Sequence, residues 1–375
     1  RHGIVLAKNY IAKKYGVKTG DTIWEAKQKC KEELVLVTAN FDRYYYISKL
    51  VKKVYREYTN YVESFGIDEA WLDITENVKS FSEAFELAEK IRKRIISQFG
   101  LTVSIGVSYN KIFAKLGSDL KKPNATTLIT PQNYKELVWK LPVSDLLYVG
   151  KATNQKLTKA GITTIGQLAQ TPCRILKSML GKNGETLHTF ANGDDTTPVK
   201  KFDEKEEIKS VGNSTTCPKD LKTNGEVRAV ICILSESVAR RLREKNLWCS
   251  TVCLWVKTDD LKSFEVMHKI DYPTNLASTI SSEAYKLFKF DWNKTIRAIG
   301  VRVCGLCEKP AQYNFFNNEQ TMQKKEKFET VVDGLRGRFG YNILKRGSVC
   351  ASKELAELNP EHVVHSIHPT SYFKP

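Results

Sequence analysis

Two adjacent carboxylates, Asp68 and Glu69, are the residues of this sequence best suited to chemistry. They lie within residues 61–75, which read as two strands around a turn. A strand interior gains nothing from unpaired charge, so acids placed there ask for a partner. Neighbours on a regular strand point to opposite faces. Asp68 and Glu69 can share a metal only if the turn falls at the pair, and Gly66 just before them suits such a turn. Mg²⁺ takes carboxylate and phosphate oxygens in an octahedron. Two such ions can activate a hydroxyl and stabilise a leaving pyrophosphate. A hairpin tip with solvated acids fits the same residues, so the local pattern leaves both readings open. Asp73, on the following strand, reads as a structural partner.

Other clusters carry less. Cys304 and Cys307 form a Cys-x-x-Cys, and zinc needs a second ligand pair. Cys249 and Cys253 are the nearby candidates, but Cys253 lies inside the strand-like stretch 251–257, so ordinary thiols are the commoner reading. The nine cysteines are odd in number and scattered, which suits reduced thiols rather than a disulfide scaffold. His362, His365 and His368 recur every third residue, but Pro360 and Pro369 break any helix that would align them.

The elements that must position such groups come from pattern and composition. The chain has 375 residues. That exceeds the roughly 250–300 residues of one core, so two or more domains are expected. A 41% hydrophobic and 27% charged composition excludes wholesale disorder. The net charge of +17 calls for a polyanionic partner, nucleic acid or an anionic membrane surface. No run of eighteen apolar residues occurs, and the start has no signal-peptide anatomy and no initiator Met. No long basic amphipathic helix or lipidation motif supports a membrane role, and the expected location is cytoplasmic.

Val35–Val37 reads as a short strand. Residues 40–61 read as a long helix with Tyr44, Ile47, Leu50, Val51 and Val54 on one apolar face. A second helix, residues 82–99, carries Phe85, Leu87, Ala88, Ile91 and Ile95. A strand at 101–108 and a Lys-rich helix follow, an α+β or α/β alternation. Short helices with Gly turns fill 131–198, and 199–207 is charged enough to be a linker. Residues 208–310 restart as strand, helix, strand, helix, strand, with an amphipathic helix at 229–245. The last helix, 324–339, places Phe328, Val331, Val332 and Leu335 on one side. There is no internal repeat.

Three ordered segments resemble the Y-family DNA polymerases, most closely the bacterial DNA polymerase IV (DinB-like) and UmuC-like members. Residues 64–73 are similar to the family's Ser-x-Asp-Glu-Ala-[Tyr/Phe]-Leu-Asp hairpin. Residues 103–124 resemble its Ser-x-Gly-[Ile/Val]-Ser-x-Asn-Lys-x-x-Ala-Lys…Lys-Pro segment, and residues 9–18 its nucleotide-contacting Asn-Tyr-x-Ala-Arg-x-x-Gly-Val segment. The resemblance implies an α+β multidomain fold. Fingers would span 1–38, a palm 39–130, a helix-hairpin-helix thumb 131–198, a linker 199–207, a βαββαβ little finger 208–310, and a C-terminal helix and tail 311–375.

It also implies roles. Asp68 and Glu69 match the catalytic, metal-binding carboxylates, served by two Mg²⁺ ions. Tyr10, Lys13 and Lys122 match residues that touch the incoming triphosphate; the family more often has Arg where Lys13 stands, and alone Tyr10 would read as a packed aromatic and Lys13 as a solvated lysine. Candidate DNA contacts are Lys111 and Lys115 in the palm, and Val149, Gly150, Lys151 and Lys156 at the thumb hairpin. Leu157, Ile162, Ile165 and Leu168 would fill the thumb core. In the little finger they are Ser210, Gly212, Arg297 and Arg302. The last two differ by an odd number, so a regular strand sets them on opposite faces unless Gly300 bulges it. Implied partners are primed template DNA, a deoxynucleoside triphosphate and a sliding clamp, with the protein a monomer. The tail at 366–375 does not resemble the family's clamp-binding peptide well.

One departure matters. The family's first palm strand carries another catalytic Asp, in an Asp-x-Asp-x-Phe-[Phe/Tyr] stretch that this sequence lacks. The expectation is a chain truncated at its N-terminus and inactive alone, from a gene product that is a polymerase active in copying damaged template. The rival from another class is a catalytically silent DNA-binding paralogue or fragment. A two-metal nuclease could also use Asp68 and Glu69, but it needs no triphosphate cradle.

Overall fold

Asn9 opens the first helix, α1 (Tyr10–Lys14), by accepting the Ala12 amide at 2.8 Å. Thr22 and Glu25 then cap α2 (Ile23–Cys30) reciprocally, through amide bonds of 2.7 and 3.2 Å. Val5, Val17, Ala26 and Cys30 form the small core between these helices. The structure, a computed structural model, describes residues 3–30, 34–204, 207–289, 293–308, 319–350 and 352–360. Of the described residues, 3–39 belong to one unit with 207–360, and 40–204 form a second. Val35–Val37, expected as a strand, is exposed at 82%, 51% and 85% and pairs with no described strand. Apolar residues become a strand only where a neighbouring ladder takes their backbone groups.

The second unit starts with α3 (Phe41–Arg56), capped by Asn40, which accepts the Arg43 amide at 3.0 Å. Then come β1 (Val62–Ser64), β2 (Ala70–Leu72), α4 (Phe81–Phe99), β3 (Ile105–Val107), α5 (Lys111–Leu120) and β4 (Thr126–Leu128). β1 and β2 are antiparallel, with Glu63 opposite Trp71, while β3 and β4 are parallel. α3 and α4 meet through Val54, Ile91 and Ile95, with Leu72 and Ile105 packed against them. α5 crosses β3 so closely that a Cβ on Gly106 would lie 1.9 Å from the Ala114 carbonyl oxygen. Only glycine fits there.

α3 presents the expected face only in part: Val54 is buried, with Val51 packed beside it. It buries Tyr45, Ser48, Lys52 and Val54, while Tyr44 is 45% exposed. The rotation follows from polar partners that periodicity does not reveal: Ser48 and Lys52 find carbonyl acceptors inside the unit.

Five short helices follow: α6 (Tyr134–Val138), α7 (Lys151–Lys159), α8 (Ile165–Gln170), α9 (Cys173–Leu180) and α10 (Lys182–Asn192). Leu157, Ile162, Ile165 and Leu168 are buried in one core with Leu176 and Leu187. Residues 200–203 lie along this unit. The Lys200 amide donates to Glu63 at 2.9 Å, the Phe202 amide to Asn60 at 3.1 Å, and the Arg56 guanidinium covers the Phe202 ring at 4.3 Å.

Residues from 210 form β5 (Ser210–Leu221), α11 (Asn224–Glu244), β6 (Trp248–Thr258), β7 (Ser263–Thr274), α12 (Ala277–Lys286) and β8 (Ile296–Cys307), the βαββαβ order expected. The antiparallel sheet runs β5-β8-β6-β7. Val230, Leu234, Val238 and Ile280 of the helices pack on Val252, Leu254, Ile299, Val301 and Val303 of the sheet. α13 (Glu319–Phe339) buries Glu329 and Arg336 and leaves Phe328, Val331 and Leu335 exposed at 66%, 61% and 37%, the reverse of the apolar face expected. Its charged residues meet Arg243 and Glu236 of α11, and those ion pairs set the rotation. The histidine triplet and the tail at 366–375 lie outside the described residues.

Candidate active site

β1 ends at Ser64 and β2 begins at Ala70, so Asp68 and Glu69 stand at the tip of the hairpin, off the ladder. The alternation of strand faces therefore does not separate them. The Phe65 and Gly66 amides both donate to the Glu69 carbonyl, at 3.1 and 3.2 Å, which closes the tip. Asp68 is exposed and Glu69 half-buried. Asp73 accepts the Thr75 amide at 2.9 Å and its hydroxyl at 2.6 Å, a local turn rather than part of the tip.

Two helices hold this tip. From α5, Lys115 pairs with Glu69 at 3.1 Å and with Asp119 at 2.7 Å, and Asp119 pairs with Lys122 at 2.6 Å. A chain of alternating charge thus runs from Glu69 to Lys122. Burial works against the Lys115 charge, but its bonds to Asp119 and Glu69 outweigh that and hold the ammonium above its ordinary value. Burial likewise raises Asp119, and its bonds to Lys115 and Lys122 prevail to hold it below the usual carboxylate range.

From α3, Lys52 donates to the Gly66 carbonyl at 2.5 Å and to the Ile67 carbonyl at 3.2 Å, and the Ser48 hydroxyl also donates to Ile67. Lys52 is 2% exposed. Burial pushes its ammonium down to about 7, while the charges of Asp68 and Glu69 pull the other way. Sequence reasoning passed over Lys52, because a serine and a lysine at helical spacing read as a solvated face until their acceptors are known.

Lys111 sits at the base of the hairpin. Its ammonium bonds both Glu63 oxygens at 2.8 and 2.7 Å and lies 4.6 Å from the Trp71 ring centre. The Trp71 indole donates to the Lys111 carbonyl at 2.9 Å. This lysine braces the hairpin. Tyr10 and Lys13 are both exposed on α1, Tyr10 at 53%.

Among the thumb candidates, Val149 turns into the core at 8% exposure and its amide donates to Leu146 at 3.1 Å. Gly150 starts α7 with no atom within 4 Å of where a Cβ would stand, and Lys151 and Lys156 are exposed. The helix N-terminus is therefore open to an oxyanion. On the sheet, Ser210 and Gly212 are exposed on β5. Arg302 crosses Gly212, whose Cβ would lie 3.0 Å from that of Arg302, and bonds Glu265 of β7 at 3.1 Å. The ladder is regular through Gly300, and the irregularity of β8 falls between Ile296 and Ala298 instead. Ile296 and Ile299 both reach the core in consequence, so strict alternation cannot be counted from Arg297 to Arg302.

The cysteines read as thiols. Cys249 donates to the Thr274 carbonyl at 3.2 Å, and Cys253 and Cys304 sulfurs lie 3.9 Å apart. Among the described residues no group of three or more His, Cys, Asp or Glu could hold a metal. Asp68 and Glu69 are a pair, and hard oxygen donors of that number suit Mg²⁺, which keeps waters and is commonly held by one or two carboxylates plus substrate phosphates.

Comparison with known proteins places these features. Residues 1–119 match the impB/mucB/samB family, residues 208–315 its C-terminal domain, and residues 144–195 the DNA polymerase-iota thumb domain. DNA polymerase IV of Acetivibrio thermocellus is 49% identical over 359 residues, covering 95% of this chain and 90% of that protein. DNA polymerase IV 1 of Bacillus subtilis is 35% identical over 359 residues, covering 94% and 86%. Among solved structures, a Y-family DNA polymerase chimera of Dbh and Dpo4 aligns with TM-score 0.71 at 25% identity, covering 82% of this chain and 89% of that one. The insertion ternary complex of Dbh DNA polymerase aligns over the same shares at TM-score 0.56 and 25% identity.

Proposed function

The chain belongs to the Y-family DNA polymerases of the DNA polymerase IV (DinB/UmuC-like) group, with their palm, fingers, thumb and little-finger layout, and from that premise we propose that Asp68 and Glu69 are its catalytic carboxylates. The family activity is template-directed addition of a deoxynucleotide to a primer 3′ end, in translesion synthesis and DNA repair. The observation that carries the assignment is the tip itself. Two acids stand off the ladder at a tip held from two helices, and Glu69 is joined through Lys115 and Asp119 to Lys122.

Asp68 and Glu69 would hold two Mg²⁺ ions, which when bound supply charge for activating the 3′-hydroxyl and stabilising the pyrophosphate. The chain's own side chains do the rest. Lys115 orients the Glu69 carboxylate. Lys122, already drawn toward a carboxylate, is a point charge for the triphosphate, and the exposed Tyr10 hydroxyl and Lys13 ammonium are further donors to it. The N-terminus of α7 with Lys151 and Lys156 holds a DNA phosphate without reading bases. The exposed strand β5 at Ser210 and Gly212, with Arg297 and Arg302, tracks the backbone of primed DNA. Arg302 shares its charge with Glu265, so its phosphate contact is weaker than an unpaired arginine would make. A sliding clamp as partner, a monomeric state and a cytoplasmic location rest on the family alone; no helix among the described residues is long and apolar enough to cross a membrane.

The test is primer extension by the natural full-length protein beside Asp68→Ala, Glu69→Ala. The expected outcome is a fall of about 10³-fold or more with DNA affinity retained. Extension at the unchanged rate removes the assignment.

A further inference from the structure

The hairpin tip carries two backbone carbonyls, those of Gly66 and Ile67, that the tip's own closure does not use; the closing bonds run from the Phe65 and Gly66 amides to Glu69. Both carbonyls are met by α3. Ser48 and Lys52 are four residues apart, which places them on one face of the helix. The Ser48 hydroxyl donates to Ile67, and the Lys52 ammonium donates to Gly66 at 2.5 Å and Ile67 at 3.2 Å. A lysine at 2% exposure is expensive unless its charge is answered. Carbonyl dipoles answer part of it, and the full charges acting on it are those of Asp68 and Glu69.

We propose that Lys52, assisted by Ser48, is a positioning residue for the carboxylate pair: it pins the two residues before Asp68 and keeps both acids presented together before any cation arrives. The inference rests on Asp68 and Glu69 being the catalytic carboxylates. A two-residue hairpin turn would hold its own shape through a primed turn. This tip is longer, and two bonds to one carbonyl leave Ile67 and Asp68 without a ladder. The helix supplies what the ladder does not. The cost is a buried cation in place of one of the aliphatic residues found elsewhere on α3.

Three variants of the full-length protein test it: Lys52→Met removes charge and donors, Lys52→Arg keeps both, and Ser48→Ala removes one donor and no charge. In metal-free protein, amide hydrogen exchange at Phe65 and Gly66 should accelerate about tenfold or more in Lys52→Met. The single-turnover extension rate should fall about tenfold or more, with the nucleotide KM and DNA affinity within roughly twofold. Lys52→Arg should restore most of both, and Ser48→Ala should lie between. A Lys52→Met protein that binds DNA normally, with native exchange at the tip, overturns the proposal. So does a slowed extension that Lys52→Arg does not relieve. If Lys52→Met does not fold, Ser48→Ala decides: native exchange and native rate together overturn it. Failure of the carboxylate assignment looks different, since Asp68→Ala, Glu69→Ala would then extend primers while tip exchange still responded to Lys52.

Discussion

α3 and α13 both bury charged residues, yet they do so for different ends. In α13 every buried charge closes on an opposite charge. Arg336 pairs with Glu236 at 3.0 Å, Arg243 with Glu329 at 2.5 Å and with Asp333 at 2.7 Å, and Arg346 with Glu236 at 2.6 Å. The Tyr341 hydroxyl also donates to Glu236 at 3.0 Å. In α3 the Lys52 ammonium is bonded to neutral carbonyls, and the acids that answer its charge are the pair proposed for catalysis. A closed network anchors a helix. A cation bonded to the carbonyls that precede two acids is a positioned charge, and that is the difference between a buried charge serving the fold and one serving a site.

The comparison can be broken in order of effect. Glu236→Ala strips the partner from Arg336, Arg346 and Tyr341, and should cost roughly 3–5 kcal/mol in denaturant unfolding. The extension rate per folded molecule should stay native; a fall in that rate would place α13 in the chemistry. Lys52→Met should cost less stability, about 1–2 kcal/mol, because the carbonyls it bonds are neutral acceptors and Ser48 still serves Ile67. If it cost as much as Glu236→Ala, the contrast between the two helices would disappear. Phe328→Ser with Phe339→Ser, at positions 66% and 60% exposed, should change stability by less than about 0.5 kcal/mol. A larger loss in the isolated protein would mean that the outward stripe of α13 is packed after all.

A pH control lies within the second unit. Bonds from Arg92 and Thr126 hold Glu89 down to about 2, from an ordinary 4.5. A depressed carboxylate adds stability that is present above 4.5 and lost as pH falls through about 2. Glu89→Gln should therefore be less stable than the native protein at pH 6, and the gap should close toward pH 2. A gap independent of pH would show that Glu89 contributes packing rather than charge.

Part of this arrangement was legible in the residues. The hairpin around Asp68 and Glu69 and the thumb core of Leu157, Ile162, Ile165 and Leu168 follow from apolar period and turn residues, whereas the pattern after residue 208 read one strand short and the βαββαβ order came from the family resemblance. Those signals are local, and burial then reinforces them. The faces of α3 and α13 were misjudged for one reason: an apolar count assumes that burial goes to hydrocarbon. Val35–Val37 failed for another, since a strand needs a partner ladder that three residues do not announce.

What the amino-acid order determined by itself was which residues could act: adjacent acids at a turn, a string of lysines after them, and an excess of positive charge spread over the whole chain. What the tertiary structure alone decided was how those residues are spent. Lys111 went to bracing Glu63, Lys115 to Glu69, and Lys52 into the interior beneath the tip. The physical reason is that a charge declares its type in one dimension, while its cost and its partner depend on distances of a few ångströms between segments far apart in the chain.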